Sequence, residues 1–228
     1  MKNLPNKYVD LIIADPPYFE VVKEKWDNQW NTEEEYLSWC EQWILESKRI
    51  IKNSGSFYCY MKPQFIHKII PIIEKYFLVQ NLIVVNVRKS RNIPKNRLRL
   101  HWQALILAVI KEKNNVFNMQ YKPVPEHLIK RYTKIGYDVE RGQPIDDIWV
   151  DIFPASNNNI YHPSRKADDL CERIVKLSSD EDNLVYIPFA GSGSEMESCI
   201  RNNRNYLATE TNKQYIDEII IPRIRIVK

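Results

Sequence analysis

Residues 184–194 read LVYIPFAGSGS, an apolar run that ends in a Gly-x-Gly turn. Leu184 to Pro188 has the length and character of a buried strand, and Ser194 to Asn202 follows with helical spacing. Glycine at positions 191 and 193 lets the backbone turn tightly and approach a ligand without a Cβ in the way. The next predicted strand, Tyr206 to Thr209, leads into Glu210, nineteen residues after Gly191. A strand, a glycine turn, a helix and a second strand ending in an acid together form half of a Rossmann-type unit, where such an acid grips ribose hydroxyls. Met196 stands where the dinucleotide fingerprint would place its third glycine, so no pyrophosphate cradle is implied.

The rest of the chain repeats the same alternation. Tyr8 to Ala14 (YVDLIIA) reads as a short buried strand, ended by Asp15-Pro16-Pro17-Tyr18 because neither proline can donate to a ladder. Thr32 and Glu35 have capping-box spacing. The helix they open carries Tyr36, Leu37, Cys40, Trp43, Ile44, Ser47 and Ile51 at helical intervals, and Ser54-Gly55 reads as its stop. Ser56 to Met61 is a strand, and Gln64 to Tyr76 a helix in which Pro71 conflicts with the pattern. Leu82 to Val87 and Ala104 to Ile110 are apolar strands. Residues 116–156 read as irregular. Ala167 to Leu177 is helical, and Lys213 to Arg225 is helical with an interruption near Pro222. Alternation of this kind predicts an α/β class with a largely parallel sheet.

Composition narrows the class further. The 228 residues favour one domain with room for a substantial core. Hydrophobic content of 44% and charged content of 27% are those of a folded chain, not a disordered one. No apolar run approaches the ~20 residues of a membrane helix, and the first residues lack the apolar core of a signal peptide. Cys40, Cys59, Cys171 and Cys199 form no C-x-x-C pair, which excludes a zinc ribbon and a disulfide framework and predicts a reduced, cytoplasmic protein. His67, His101 and His127 fit no metal or triad pattern, so no metal is expected.

The net charge of +4 hides an asymmetry. Arg88 to Lys134 holds twelve basic residues and two acids, while the remainder holds 21 basic against 27 acidic, a net of −6. The six cations Arg88, Lys89, Arg91, Lys95, Arg97 and Arg99 fall together with no acid among them. Regional concentration of that kind suits phosphate contacts and makes these residues candidates for nucleic-acid binding. Within the single domain, 88–160 is expected to be a basic, partly irregular recognition insert. Charge alone points only to nucleic acid; double-stranded DNA is the form first expected, with RNA and single strands left open.

Asp15-Pro16-Pro17-Tyr18 would lie at the carboxyl end of its strand, where open α/β sheets bind ligands. It brings together a carboxylate, a rigid carbonyl and an aromatic ring. That set suits an exocyclic amino group on a flat base: the ring stacks on Tyr18, and the N–H groups donate to Asp15 and to the Pro16 carbonyl. Holding both hydrogens draws the nitrogen lone pair out of the ring and makes it more nucleophilic. On the other site, a nucleoside cofactor without a diphosphate, such as S-adenosylmethionine, fits the glycine turn.

Taken together, Asp15-Pro16-Pro17-Tyr18 and Phe189-Ala190-Gly191-Ser192-Gly193-Ser194 resemble the amino-group DNA methyltransferases, in the motif order of their β group. The segment His162-Pro163-Ser164-Arg165-Lys166 is similar to that group's His-Pro-Thr-Gln-Lys-Pro element. Arg91 to Trp102 (RNIPKNRLRLHW) resembles the basic stretch of the small adenine enzymes. The resemblance runs from about Val9 to Arg223. It implies a Rossmann-like S-adenosylmethionine methyltransferase fold, with a mixed, mostly parallel sheet and helices on both faces. It also implies methyl transfer from S-adenosylmethionine to N6 of adenine in DNA, with N4 of cytosine or a catalytically weak binding subunit as alternatives. Phe189 to Ser194, Glu210, His162, Ser164 and Lys166 would hold the cofactor, with Lys166 on its carboxylate. A homodimer, or a partner in a methyltransferase complex, is a further implication.

The chain departs from the family pattern at four places. Ile187 replaces the acid of the usual Asp-Pro-Phe, Ser194 replaces Thr, and Ala167 replaces the Pro after the motif Lys. Only seven residues precede Tyr8, where the family usually carries another segment. These departures bear on cofactor affinity and the adenosine pocket more than on the type of reaction.

Overall fold

The computed structural model describes residues 1–19, 29–86, 95–111, 114–152 and 165–227. β1 (Val9–Ala14) is apolar throughout except for Asp10, and all of it but Asp10 is buried. α1 (Glu33–Ile50) starts as the capping box predicts: Thr32 is extended and its side chain accepts from the Glu35 N–H, while the Glu35 carboxylate accepts from the Asn31 N–H. Glu33, Glu34 and Glu35 in the first turn and Lys48 and Arg49 in the last complement the helix dipole.

The helix does not run to Ser54-Gly55. It ends at Ile50, and β2 (Ile51–Met61) begins at the next residue. Ile51 is buried and pairs with Val9, so sheet pairing overrides the helical spacing. Gly55 instead marks a bulge, because the register jumps from Val9↔Ile51 to Leu11↔Ser56. A Cβ at Gly55 would sit 2.5 Å from Ile51 Cγ1 and 2.8 Å from the Asp10 carbonyl oxygen.

A short 3₁₀ turn (Pro63–Phe65) leads into α2 (Ile66–Glu74), which keeps Pro71 inside it. Proline there forfeits one helical hydrogen bond, and burial of Ile69, Ile72 and Ile73 on one face offsets the loss. β3 (Leu78–Asn86) and β4 (Trp102–Val109) follow. Residues 116–156, read as irregular, contain β5 (Tyr121–Lys122), α3 (Glu126–Lys134), β6 (Gln143–Pro144) and β7 (Ile148–Trp149). These strands are two residues long and α3 buries no residue, so none of the three strands leaves a periodic signal.

α4 (Asp168–Ser178), β8 (Leu184–Ile187), α5 (Ser194–Arg201) and β9 (Asn205–Ala208) match the predicted elements within a residue or two. α6 (Lys213–Tyr215) continues through a π-helical turn (Ile216–Ile220) into α7 (Ile221–Val227). The wide turn lies just before Pro222, with the Ile221 N–H bonded to the Ile216 carbonyl. It provides room for a ring that would clash with the preceding turn.

The main sheet has the order β7-β3-β4-β2-β1-β8-β9. Every pairing is parallel except those of β4, which runs antiparallel to both β2 and β3. Side-chain alternation along β1 divides the core. Ile12 and Ala14 face α1 and α2, with Phe57, Cys59 and Ile106 beside them. Leu11 and Ile13 face α4 and α5, with Val185 and Ile187. The sheet is thus covered by helices on both faces.

Direction decides what gathers at one edge. The carboxyl ends of β1, β2, β8 and β9 carry Asp15, Lys62, the glycine turn and Glu210. Because β4 is reversed, Ala104 pairs with Met61 and Trp102 with Asn86. The chain entering β4 therefore emerges at that same edge. Residues after β4 leave from the opposite end, where the Val116 N–H bonds the Ser54 carbonyl. Lys95, Arg97 and Arg99 before β4 and Lys111 after it consequently lie toward opposite ends of the sheet.

Candidate active site at the carboxyl edge of the sheet

Asp15 leaves β1 with its side chain largely enclosed. The Tyr18 hydroxyl donates to Asp15 Oδ1 at 2.7 Å, and the Lys166 ammonium pairs with Oδ2 at 2.6 Å. Gln103 Nε2 donates in turn to the Tyr18 hydroxyl at 2.7 Å. Burial and the Asp15 charge push the Tyr18 phenol well above its ordinary range, so it is a neutral donor. The Tyr18 ring is itself buried, with Lys62 Nζ 5.5 Å from its centroid. In this arrangement the ring is held by its hydroxyl and is not an open stacking platform. Lys166 Nζ lies 4.5 Å from the centroid of Tyr60, whose buried hydroxyl has no hydrogen-bond partner among the described residues.

The glycine turn follows β8. Gly191 and Gly193 both adopt positive φ, 51° and 73°, a region that residues with a Cβ enter at a cost. A Cβ on Gly193 would meet only ordinary contacts, at 3.6–3.7 Å from Ile220 and Met196. At Gly193, therefore, conformation imposes glycine within the protein. The Gly191 N–H donates to Glu210 at 2.8 Å, and the other oxygen of Glu210 accepts from the N–H groups of Thr211 and Asn212. Glu210 thus ties the turn to the end of β9. Ser192 and Ser194 share a hydrogen bond at 2.9 Å, and Ser194 Oγ reaches the Lys166 carbonyl at 3.5 Å. Phe189 packs against Trp39 and Trp43 of α1, with centroids 5.7 and 5.4 Å away, and Ala190 is buried.

Two charged groups near the turn were not singled out from the sequence. Arg223 of α7 is 2% exposed; it pairs with Glu197 of α5 and Asp168 of α4 and donates to the Ser192 carbonyl. Glu195, the second residue of α5, is 5% exposed. Burial first, and then the Asp15 charge, push its carboxyl up to about 6. In an unfolded chain it would titrate near 4.5, so the neutral form stabilises the fold below that pH. This contribution is lost as pH rises through about 6. Glu195→Gln, which stays neutral, is expected to raise the stability of the ligand-free protein by up to about 2 kcal/mol above pH 7. The gain should vanish toward pH 4. Thermal unfolding across that range checks it, and a pH-independent difference would count against the burial of an ionised Glu195.

The structure thus brings Asp15, Tyr18, Lys166 and the Phe189–Ser194 turn with Glu210 to one edge. Pro16 is buried and Pro17 half-buried at the same turn. Lys95, Arg97 and Arg99 are exposed on the connection that enters β4 at that edge. His162, Ser164, Arg88, Lys89 and Arg91 lie outside the described residues. Trp30 packs against Tyr36 and Trp39. The signal that could have revealed Gln103 is a lone amide in an otherwise apolar strand. Glu195 and Arg223 gave a weaker one, as charges at inward-facing helix positions. Among the described residues, no cluster of His, Cys, Asp or Glu is placed to hold a metal ion, and no helix is long and apolar enough to cross a membrane. All four cysteines are free and buried; burial pushes the thiols of Cys40 and Cys199 up to about 12.

A sequence profile of the N6_N4_Mtase family, described as DNA methylase, matches residues 9–221. The chain belongs to this family of DNA methylases. The cofactor of such methylases is S-adenosylmethionine. M.HpaI, a type II methyltransferase of Haemophilus parainfluenzae, is 28% identical over 221 residues, 95% of this chain and 68% of its own length. YhdJ of Escherichia coli, a DNA adenine methyltransferase, is 27% identical over 231 residues, 95% of this chain and 76% of its own. The crystal structure of the M1.HpyAVI–SAM complex superposes with a TM-score of 0.67 at 22% identity, covering 98% of this chain and 90% of that one. This methylase therefore has the expected fold, Rossmann-like with a mixed, mostly parallel sheet.

Proposed function

We propose that this methylase transfers a methyl group from S-adenosylmethionine to the N6 amino group of adenine in DNA. The observation that carries the reading is the meeting of Asp15, Tyr18 and Lys166 beside the glycine turn of the neighbouring strand. The residues present fit the cofactor. The turn at Gly191 and Gly193 is already in the conformation that lets a ligand approach, and the half-buried Glu210 stands at the end of the next strand for the ribose. Lys166 would hold the carboxylate. Bound there, the cofactor supplies an activated methyl group.

The chain's own residues do the rest by orientation. Asp15 and the Pro16 carbonyl accept the two amino hydrogens of the base and fix the direction of its lone pair. Tyr18, neutral and anchored by Gln103, keeps Asp15 in place. The base must leave the duplex stack to reach them, at a cost of a few kcal/mol. Positioning of this kind accounts for most of the rate gain, and the excess proton of the methylated nitrogen passes to solvent.

Methyl transfer from labelled cofactor to mixed-sequence DNA, followed by nucleoside analysis, tests the reading. N6-methyladenine is expected, and label on cytosine would move the target to N4. A second reading, a catalytically weak subunit, is favoured by one observation: Ile187 is wholly buried and offers the cofactor no acid. Calorimetry showing no binding of S-adenosylmethionine would support it.

The exposed cations at the site edge serve as phosphate contacts in this reading. Lys95→Ala and Arg97→Ala should each weaken DNA binding at every sequence and lower the salt slope by about 1. Equal slopes for wild type and both variants would make them solvated surface.

A further inference from the structure

Glu195 is a buried acid that the mechanism above does not use. It lies in the first turn of α5, directly after Ser194, whose hydroxyl reaches the Lys166 carbonyl. The groups that act on it electrostatically come from four other elements. They are Asp15 after β1, Tyr60 of β2, Lys166 and Cys171 at and in α4, and Arg223 of α7, with Cys199 on α5 itself. Both nearby cations are committed elsewhere: Lys166 to Asp15 at 2.6 Å, and Arg223 to Asp168 and Glu197. Among the described residues, the Glu195 carboxylate is bonded by no other side chain, and its own backbone N–H is its donor. An acid buried in this way costs stability. Such a cost is characteristic of groups kept for a ligand.

Charge indicates which ligand. Asp15 and Lys166 neutralise each other, so an ionised Glu195 leaves this end of the site with one negative charge. The methionyl end of S-adenosylmethionine carries a carboxylate, an ammonium and a sulfonium, a net of one positive charge. The strand that leads into the turn ends at buried Ile187 and contributes no acid. We propose that the Glu195 carboxylate receives the α-ammonium of the cofactor's methionyl group, a placement that rests on the methylase reading above.

The test uses the full chain and two unreactive probes: S-adenosylhomocysteine and its analogue lacking the amino group. Calorimetry at pH 7.5 should show wild type binding the amino-bearing ligand about tenfold to a hundredfold more tightly than the analogue, the range of one charge-assisted hydrogen bond. Glu195→Gln should lose that preference and bind both alike. Unchanged affinity of Glu195→Gln for S-adenosylhomocysteine would overturn the assignment, as would losses from the two deletions that simply multiply.

Wild type alone provides an arm that does not depend on the variant folding. Its preference for the amino-bearing ligand should shrink as pH falls through about 6, where Glu195 takes up its proton. A preference constant from pH 5 to 8 would overturn the proposal. If wild type bound neither S-adenosylmethionine nor S-adenosylhomocysteine, the methylase reading would fall, and the ammonium site with it. If wild type bound them without discriminating the amino group, only the Glu195 assignment would be lost.

Discussion

Asp15→Ala is expected to reduce methyl transfer about a thousandfold or more, comparable to the removal of one preorganised polar contact from a reacting centre. The substitution removes the acceptor for an amino hydrogen. It also removes the acceptor of the Tyr18 hydroxyl and leaves Lys166, with a side chain 11% exposed, without its partner at 2.6 Å. Part of the loss would therefore be structural. Asp15→Asn separates the contributions, because it keeps an acceptor oxygen for Tyr18 and for the base while removing the charge. It should retain more activity than the alanine variant. Single-turnover transfer from labelled cofactor, with cofactor affinity measured separately, provides the check. Activity of Asp15→Ala equal to wild type would remove Asp15 from the site.

The second large effect is expected at Arg223, and it concerns the fold. Its guanidinium is almost wholly buried and meets Glu197, Asp168 and the Ser192 carbonyl at once. Removing one partner of a buried ion pair typically costs about 3–5 kcal/mol. Arg223→Met should therefore lower the melting temperature by about 10 °C for a chain of this size. It should also weaken cofactor binding, because the bond to Ser192 anchors the glycine turn. Arg223→Lys should not restore stability, since an ammonium cannot serve three acceptors in the directions of a planar fork. Thermal denaturation of both variants decides this. A shift below about 2 °C for Arg223→Met would show that α7 does not hold the turn.

Much of the site could be read from the sequence because proline and glycine leave strong local signals. Asp15-Pro16-Pro17-Tyr18 and the Gly191–Gly193 turn needed only an apolar run before them to be placed at strand ends. Their meeting in space could not be read that way. Asp15 and Lys166 are 151 positions apart, and Tyr18 and Gln103 are 85 apart. It is the parallel pairing of β1 with β8, and the reversal of β4, that bring them to one edge. The same reversal explains why Lys95, Arg97 and Arg99 lie toward the opposite end of the sheet from Lys111. Where local spacing and sheet pairing competed, at Ile50-Ile51, pairing won and moved the predicted helix end. Gly55, read as a helix stop, is required instead by the close approach of the Asp10 carbonyl.

The aromatic packing around Phe189 has a practical consequence. Trp39 and Trp43 pack against the first residue of the glycine turn, and Trp30 packs at a tilt against Trp39. Indole emission responds to changes in its immediate surroundings, so this cluster is a built-in optical reporter at the glycine turn. A ligand that moves Phe189 changes the intrinsic fluorescence of the unlabelled protein. Occupancy of the turn can therefore be followed in a stopped-flow cell, before any methyl group has moved.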